Sequence, residues 1–434
     1  MEALLAKAKK VAEEAEVFIV SVEETPVRFE ANRLKYIQSR QSTSVALRIV
    51  RQGRIGYATT TEPGDIQNLL NMAVETAQFG TPARFEFPPL TAYPRVEVFD
   101  PAVESVSIEA MIKLGEELIV TVSKHTPDIV CEAEVARAVT SVALINSRGS
   151  EAKYKESSFH LGVAGSLIRD TDMLFVGEKE SSGHPITESK KITDAVIRQL
   201  ELAQNKATLP SRSLPVVFTP RGVASALVPS LMAAFNGKTV LEGASPIGNR
   251  LGDKVFDERF CLVDDATLDY RPSSRPCDDE GVVSQRTPLV EQGVVTSFLY
   301  DLQTAALAKT QSTGNGSRSG GRLPSPAPNA FIISPGDTTF AEMVGDIKEG
   351  LVVEMLMGAE QGNVLGGDFS GNVLLGYKVE SGKIVGRVKD TMVFGNVFRL
   401  LKNMAAIGSE NRWVGSLLQT SPLYFPRLAV ASKG

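Results

Sequence analysis

The chain of 434 residues holds three histidines, His125, His160 and His184, and they stand alone. Zinc-assisted hydrolysis needs ligands that converge on one ion, commonly two histidines on one helical face with a glutamate beside them as base. No such spacing occurs. His125 closes a predicted helix, where a cation complements the helix dipole. His160, in SSFHLGV, reads as a strand residue, and His184, in SSGHPIT, as a turn residue. Cys131, Cys261 and Cys277 have no CxxC spacing and leave one thiol over, so neither a disulfide framework nor a Cys/His nucleophile is indicated, and the three read as buried or inert. There is no GxSxG elbow, and nothing points to a Ser/Lys pair.

Two further stretches carry chemistry by composition. STGNGSRSGG (312–321) is rich enough in glycine to cradle an anion with backbone amides, but it has no lysine and lacks the GxxxxGK[ST] order. It reads as a flexible or substrate-edge loop. Asp278, Asp279 and Glu280, followed by Gly281, offer oxygen ligands to a hard cation without EF-hand spacing, so a solvated turn or a structural hydrogen-bond acceptor is expected.

The elements that would position these residues belong to a globular protein. Hydrophobic residues make up 43% and charged residues 22%, which excludes a mainly disordered chain. The 46 basic residues against 51 acidic ones give −5 and form no dense basic block, so phosphate-driven nucleic-acid binding is not expected. No apolar run of about 18 residues is present and the N-terminus has no signal-peptide h-region; no membrane association and a cytoplasmic location are expected.

Periodicity predicts a first amphipathic helix carrying Leu4, Leu5, Ala8, Val11 and Ala12, an antiparallel meander through EVFIVSVEE, LKYIQSRQ, TSVALRIVRQ and IGYATTT, and a helix over 63–80. Five prolines between 82 and 101 mark a linker. A long helix over 107–125, a strand-rich run with a turn at 147–150 and a helix from 190 follow, then a Pro/Ser joint at 209–215. Beyond it, strands such as LPVVFTP, CLVDDATL and LVVEMLMG surround a helix over 221–235. The fold class expected is α+β, with mainly antiparallel sheets and packed helices. Its units are 1–100 (an N-terminal α+β unit with the linker), 101–211 (a central α+β unit) and 212–434 (a larger β-rich C-terminal domain).

The C-terminal unit contains GNRLGDKV (248–255), VDDATL (263–268), DDEGVVSQRTPLVEQGVVTSFLYD (278–301), STGNGSR (312–318) and GYKVESGKIVGRVKDTMVFGNVFRLLKNMAAIGSENRW (376–413). This ordered series resembles the TldD/PmbA family of zinc peptidases and their partner subunits. TldD-like members carry HExxxH after the first strand of this domain and a cysteine ligand near the C-terminus. Here the corresponding segment, RGVASALVPSLMAAFNGKTV (221–240), has no His, Glu or Cys, and the C-terminal NRWVGSLLQTSPLYFPRLAVASKG has no His or Cys.

The resemblance therefore implies a TldE/PmbA-type subunit that lacks the zinc motif. It implies no catalytic residue and no metal on this chain, zinc on a TldD-like catalytic partner, and a cytosolic peptidase complex acting on unfolded or short peptides. The family has also been described as a modulator of DNA gyrase; direct nucleic-acid binding is not expected at this charge. An exposed strand edge would suit broad peptide recognition. Candidate peptide-binding residues are Thr313, Gly314, Asn315 and Gly316 in one loop and Gly367, Asp368, Phe369 and Ser370 in another, where glycines let a second backbone approach. The alternative is a stand-alone, homodimeric peptide-binding or scaffold protein without a hydrolytic role.

Overall fold

The computed structural model describes residues 1–170, 172–318 and 322–433. Positions 319–321, the SGG end of the glycine-rich run, lie outside the described residues.

The N-terminal half is built on one antiparallel sheet. Its strands are β1 (Glu14–Glu30), β2 (Arg33–Ile37), β3 (Arg40–Arg51), β4 (Arg54–Thr60), β5 (Val130–Asn146), β6 (Glu151–Arg169) and β7 (Asp172–Ser182). Their order is β4-β3-β1-β5-β6-β7, with β2 beside β1. The sequence units 1–100 and 101–211 share this sheet, because β1 pairs with β5 from Glu16 opposite Asn146 to Phe29 opposite Ala133. The meander is modified: β2 and β3 lie along the same flank of β1, and β1 turns into β2 through Ala31 and Asn32, both in the left-handed region.

Alternation along these strands gives the sheet two different faces. Odd-numbered residues of β1, Ala15 and Val17 near its start and Val27 and Phe29 near its end, are buried beneath helices. Helix Ile66–Ala77 places Leu69, Leu70, Ala73 and Ala77 on this face, and its start is capped by Asp65. Helix Ile108–His125, capped by Ser107, adds Met111, Leu114, Leu118 and Val122, and approaches Phe29 at Gly115 so closely that a Cβ there would lie 2.1 Å from the ring. The first helix spans only Glu2–Ala8; Val11 is exposed, because the chain turns to pair Glu13 N–H with Val50 C=O. On the opposite face, Glu16, Phe18, Ala46 and Arg48 look toward the C-terminal domain.

In that domain, strands Glu349–Met357, Arg212–Phe218, Leu423–Ser432, Thr391–Asn396 and Asp368–Glu380 pair in a ring that closes on itself. A second, six-stranded sheet runs from Val294–Val295 through Arg286–Glu291, Leu262–Asp265, Phe331–Ile333 and Leu418–Thr420 to Arg412–Val414. Most pairings are antiparallel, so the α+β class is the fold observed. The largest core lies between these layers and takes Val223, Leu227, Leu231 and Phe235 from the segment after the first ring strand. That segment is two helices rather than one, Pro220–Ala226 and Val228–Phe235, joined at Leu227. Pro229 has no N–H to continue the ladder and sits in the first turn of the second helix.

Candidate functional site

The acidic triplet is a buried turn and not a solvated one. Asp278 and Glu280 are 1% and 0% exposed. Asp278 Oδ1 accepts the N–H groups of Glu280 and Val282, each at 2.9 Å, and its Oδ2 accepts Gly316 N–H at 2.8 Å. Asp279 accepts Arg275 Nη1 at 2.9 Å and Arg318 N–H at 2.7 Å. Glu280 Oε1 meets Arg48 Nη1 at 2.5 Å, and its Oε2 takes Leu302 N–H at 2.7 Å. Arg48 also reaches Glu16 at 3.1 Å, and Glu16 accepts Arg318 Nη2.

Four carboxylates and three guanidiniums thus join the N-terminal sheet to the C-terminal domain. The Arg48 guanidinium lies 4.8 Å from each of the Phe85 and Phe87 ring centroids, so the proline-rich linker packs over the junction. Burial and the neighbouring Glu280 push the Asp278 carboxyl up to about 8, against the pull of Arg275 and the backbone donors.

The loop 313–316 is locked onto this turn. Asn315 Nδ2 donates to Asp264 Oδ2 at 2.6 Å and to Ala327 C=O at 3.0 Å, and Asp264 also accepts Asn329 N–H and Ala330 N–H. Thr313 Oγ1 accepts Tyr300 N–H at 2.8 Å. Gly314 has φ +72°, and a Cβ there would lie 2.6 Å from Val283 C=O; one at Gly316 would lie 2.5 Å from Glu280 Oε2. The loop's glycines admit this chain's own backbone and side chains. An open depression of about 270 Å³ beside it is lined by Pro88, Thr91, Gly281, Val282, Val283, Gln285 and Ser312.

The second candidate set has different partners. Gly367, at φ +83°, lies against the Phe398 ring, and Asp368 accepts Asn396 Nδ2 at 2.8 Å. Phe369 is 3% exposed and packs edge-on to Phe218 with centroids 6.3 Å apart, whereas Asp368 is exposed and Ser370 half-buried. Asp368 and Ser370 are therefore the members of this set most open to a ligand, while Thr313, Gly314, Asn315, Gly316 and Phe369 are interior.

The segment corresponding to HExxxH in the resemblance begins beneath β7. Arg221 Nη1 donates to Gly177 C=O and its Nη2 lies 3.3 Å from Met355 Sδ. Beside it, Glu354 is the extra residue of a bulge: Val353 pairs with Gly376 and Met355 with Leu375. Burial raises the Glu354 pKa, opposed by Arg221.

A zinc centre does not fit these donors. The helices Pro220–Ala226 and Val228–Phe235 bring no imidazole, thiolate or carboxylate. Each histidine has its own partner: His125 Thr126, His160 Ser181 and His184 Asp100. Among the described residues no group of three or more His, Cys, Asp or Glu side chains could hold a metal ion. The carboxylates of the junction are turned to arginines and backbone amides.

Sequence reasoning found Asp278, Asp279 and Glu280 but missed their partners Arg48, Arg275 and Arg318, and with them Glu16, which shares Arg48 and Arg318. The available signal was a charge inside an apolar alternation, Arg48 in VALRIV and Glu16 in EAEVFIV.

Comparison with known proteins names the class to which this fold belongs. Residues 211–432 match the model described as the PmbA/TldA metallopeptidase C-terminal domain, and residues 15–77 match PmbA/TldA metallopeptidase domain 1. The chain belongs to this TldD/PmbA family. It is 27% identical over 431 residues to an uncharacterized protein of Methanocaldococcus jannaschii, covering 98% of each chain. It is 24% identical to the metalloprotease PmbA homolog of Haemophilus influenzae, covering 95% of this chain and 92% of the relative. The solved TldE of Thermococcus kodakarensis superposes with a TM-score of 0.89 at 20% identity, covering 100% of both chains, which shows the shared fold. Among the described residues no helix is long and apolar enough to cross a membrane.

Proposed function

We propose that this chain is the non-catalytic, TldE/PmbA-like subunit of a cytosolic zinc-dependent peptidase that cleaves unfolded or short peptides, pairing with a TldD-like subunit that holds the zinc. The observation that carries this reading is the segment 220–235, where a metallopeptidase-family chain carries buried Val223, Leu227, Leu231 and Phe235 in place of ligands. A family member whose core helices supply packing alone contributes by shaping a shared chamber and its substrate path, not by polarising a carbonyl. Asp368 and Ser370 are the proposed peptide contacts, and no cofactor is assigned to this chain. With net charge −5 and no basic stripe, direct nucleic-acid binding is not part of the proposal.

The test is zinc content by elemental analysis and hydrolysis of an unstructured peptide, on the purified chain and on the chain co-expressed with a TldD-like subunit. Zinc and chelator-sensitive hydrolysis are expected only in the complex. Stoichiometric zinc with activity in the isolated chain would overturn the assignment.

A further inference from the structure

Outside the charged junction, Arg271 is built into the fold with no counter-charge in contact among the described residues. Arg271 lies over the ring of Trp413, 3.8 Å from its centroid, and both Nε and Nη2 are buried with no acceptor among the described residues. Those two nitrogens form one edge of the guanidinium, the fork that takes both oxygens of a carboxylate. Arginine stays charged in proteins, so it cannot relieve burial by losing a proton as lysine can. The indole face offsets part of the cost but offers no hydrogen bond to that edge.

The backbone around the fork is fixed from three directions. Tyr270 has φ +54°; its N–H donates to Glu97 C=O at 2.6 Å and its C=O accepts Gly183 N–H at 2.8 Å. Ser273 Oγ donates to Ser416 C=O at 3.1 Å, in the turn that follows the strand of Trp413. The acid whose charge acts on Arg271 is Glu180, and it pairs instead with Lys191 Nζ at 3.0 Å. The strand Arg412–Val414, which carries Trp413, is the last of its sheet and pairs on one side with Leu418–Thr420.

We propose that Arg271, held against Trp413, is a receptor for a peptide carboxylate, either a C-terminus or an acidic side chain. The choice of a peptide as its source rests on the function proposed above; the carboxylate chemistry does not. The fork edge is covered in this conformation and Arg271 itself is half-buried, so entry requires the guanidinium to swing across the indole. That movement changes the surroundings of the single tryptophan in the chain.

Trp413 emission of the purified full chain is therefore the readout. Three unstructured peptides are titrated: one without Asp or Glu and with a free C-terminus, its C-terminal amide, and an amide containing one glutamate. Saturable change is expected with the first and about tenfold weaker binding with the plain amide; if the glutamate peptide regains affinity, the receptor also takes side-chain carboxylates. Arg271→Gln should abolish the response, and Arg271→Lys should weaken it about tenfold, because an ammonium cannot fork. Should a variant fail to fold by circular dichroism, the comparison of acid and amide on the wild-type chain decides. Equal titration by acid and amide, an unchanged response in folded Arg271→Gln, or no emission change at millimolar peptide would each overturn the proposal. Carboxylate-dependent binding to the isolated chain is independent of partner-dependent hydrolysis, so the two failures are distinguishable.

Discussion

Arg48 Nη1 and Glu280 Oε1 lie 2.5 Å apart although 232 positions separate them in the chain, and both side chains are almost wholly removed from water, at 2% and 0% exposure. The pair joins β3 to the turn that follows Cys277, and Arg48 simultaneously holds Glu16. A buried ion pair of this kind is weak evidence of net stabilisation, because desolvation offsets most of the attraction. Removing one partner is a different matter.

Arg48→Ala would leave Glu16 and Glu280 facing each other without their shared cation. The expected loss is about 3–5 kcal/mol of unfolding free energy, read as a lower urea midpoint. Arg48→Ala combined with Glu280→Ala should cost less than the two single losses summed, since the second change removes a charge the first has stranded. Strict additivity would mean the contact does not couple the two halves.

The same junction sets a pH dependence. Folded Asp278 is pushed up to about 8 from an ordinary value of 3.8. Its contribution is full below about pH 4, where both states are protonated, and declines as the unfolded carboxyl ionises while the folded one keeps its proton. It is lost above about pH 8. Burial raises Asp264 and Asp301 to about 6 and Glu156 to about 7, with the same sign. The thermal midpoint should therefore fall between about pH 5 and pH 9, and Asp278→Asn should flatten that slope. A midpoint rising over this range would contradict the assignment.

Local signals made most elements legible: Leu69, Leu70, Ala73 and Ala77 recur with helical period, and they form the buried stripe of helix Ile66–Ala77, inside the predicted 63–80. The first helix stopped short because pairing with β3 draws the chain into β1, a tertiary gain that local periodicity does not contain. Nor could alternation say what lies opposite a strand face. The register puts Glu16 opposite Arg48, on the same side of the sheet, but their further partners arrive from beyond residue 274 through contacts no spacing encodes. The interior position of the glycine-rich loop escaped for the same reason: glycines that let a ligand approach and glycines that let one's own backbone approach look alike in sequence.

That distinction yields a mutational contrast. Gly314→Ala must hold φ +72° and bring a methyl 2.6 Å from Val283 C=O, whereas Gly53→Ala holds φ +69° with nothing within 4 Å. The Gly53 change should cost about 1–2 kcal/mol from backbone conformation alone, and the Gly314 change clearly more. By contrast, Asp368→Ala and Ser370→Ala sit where a peptide could touch them, and should alter hydrolysis by the complex with little change in thermal midpoint. An unaltered KM and kcat in both would remove these two from the substrate path.

Asn315 offers a conditional version of the same test. Its Nδ2 donates to Asp264 Oδ2 at 2.6 Å inside the core, and Asp264 is already pushed up to about 6 by burial. Asn315→Asp replaces that donor with a second carboxyl of the same shape. Each carboxyl then holds the other's proton on, and above the pH at which the pair loses its last proton two buried carboxylates face each other, a repulsion that no cation in contact among the described residues relieves. Below it, one proton shared between the two oxygens would restore a hydrogen bond in place of the lost amide donor. The variant should therefore melt well below the wild type at about pH 8 and recover most of the difference at about pH 5, while Asn315→Ala, which restores no donor, should be destabilised at both. Thermal unfolding of the two variants side by side at those pH values checks this, and equal losses for Asn315→Asp at both would show that the Asp264 contact does not hold the loop in place.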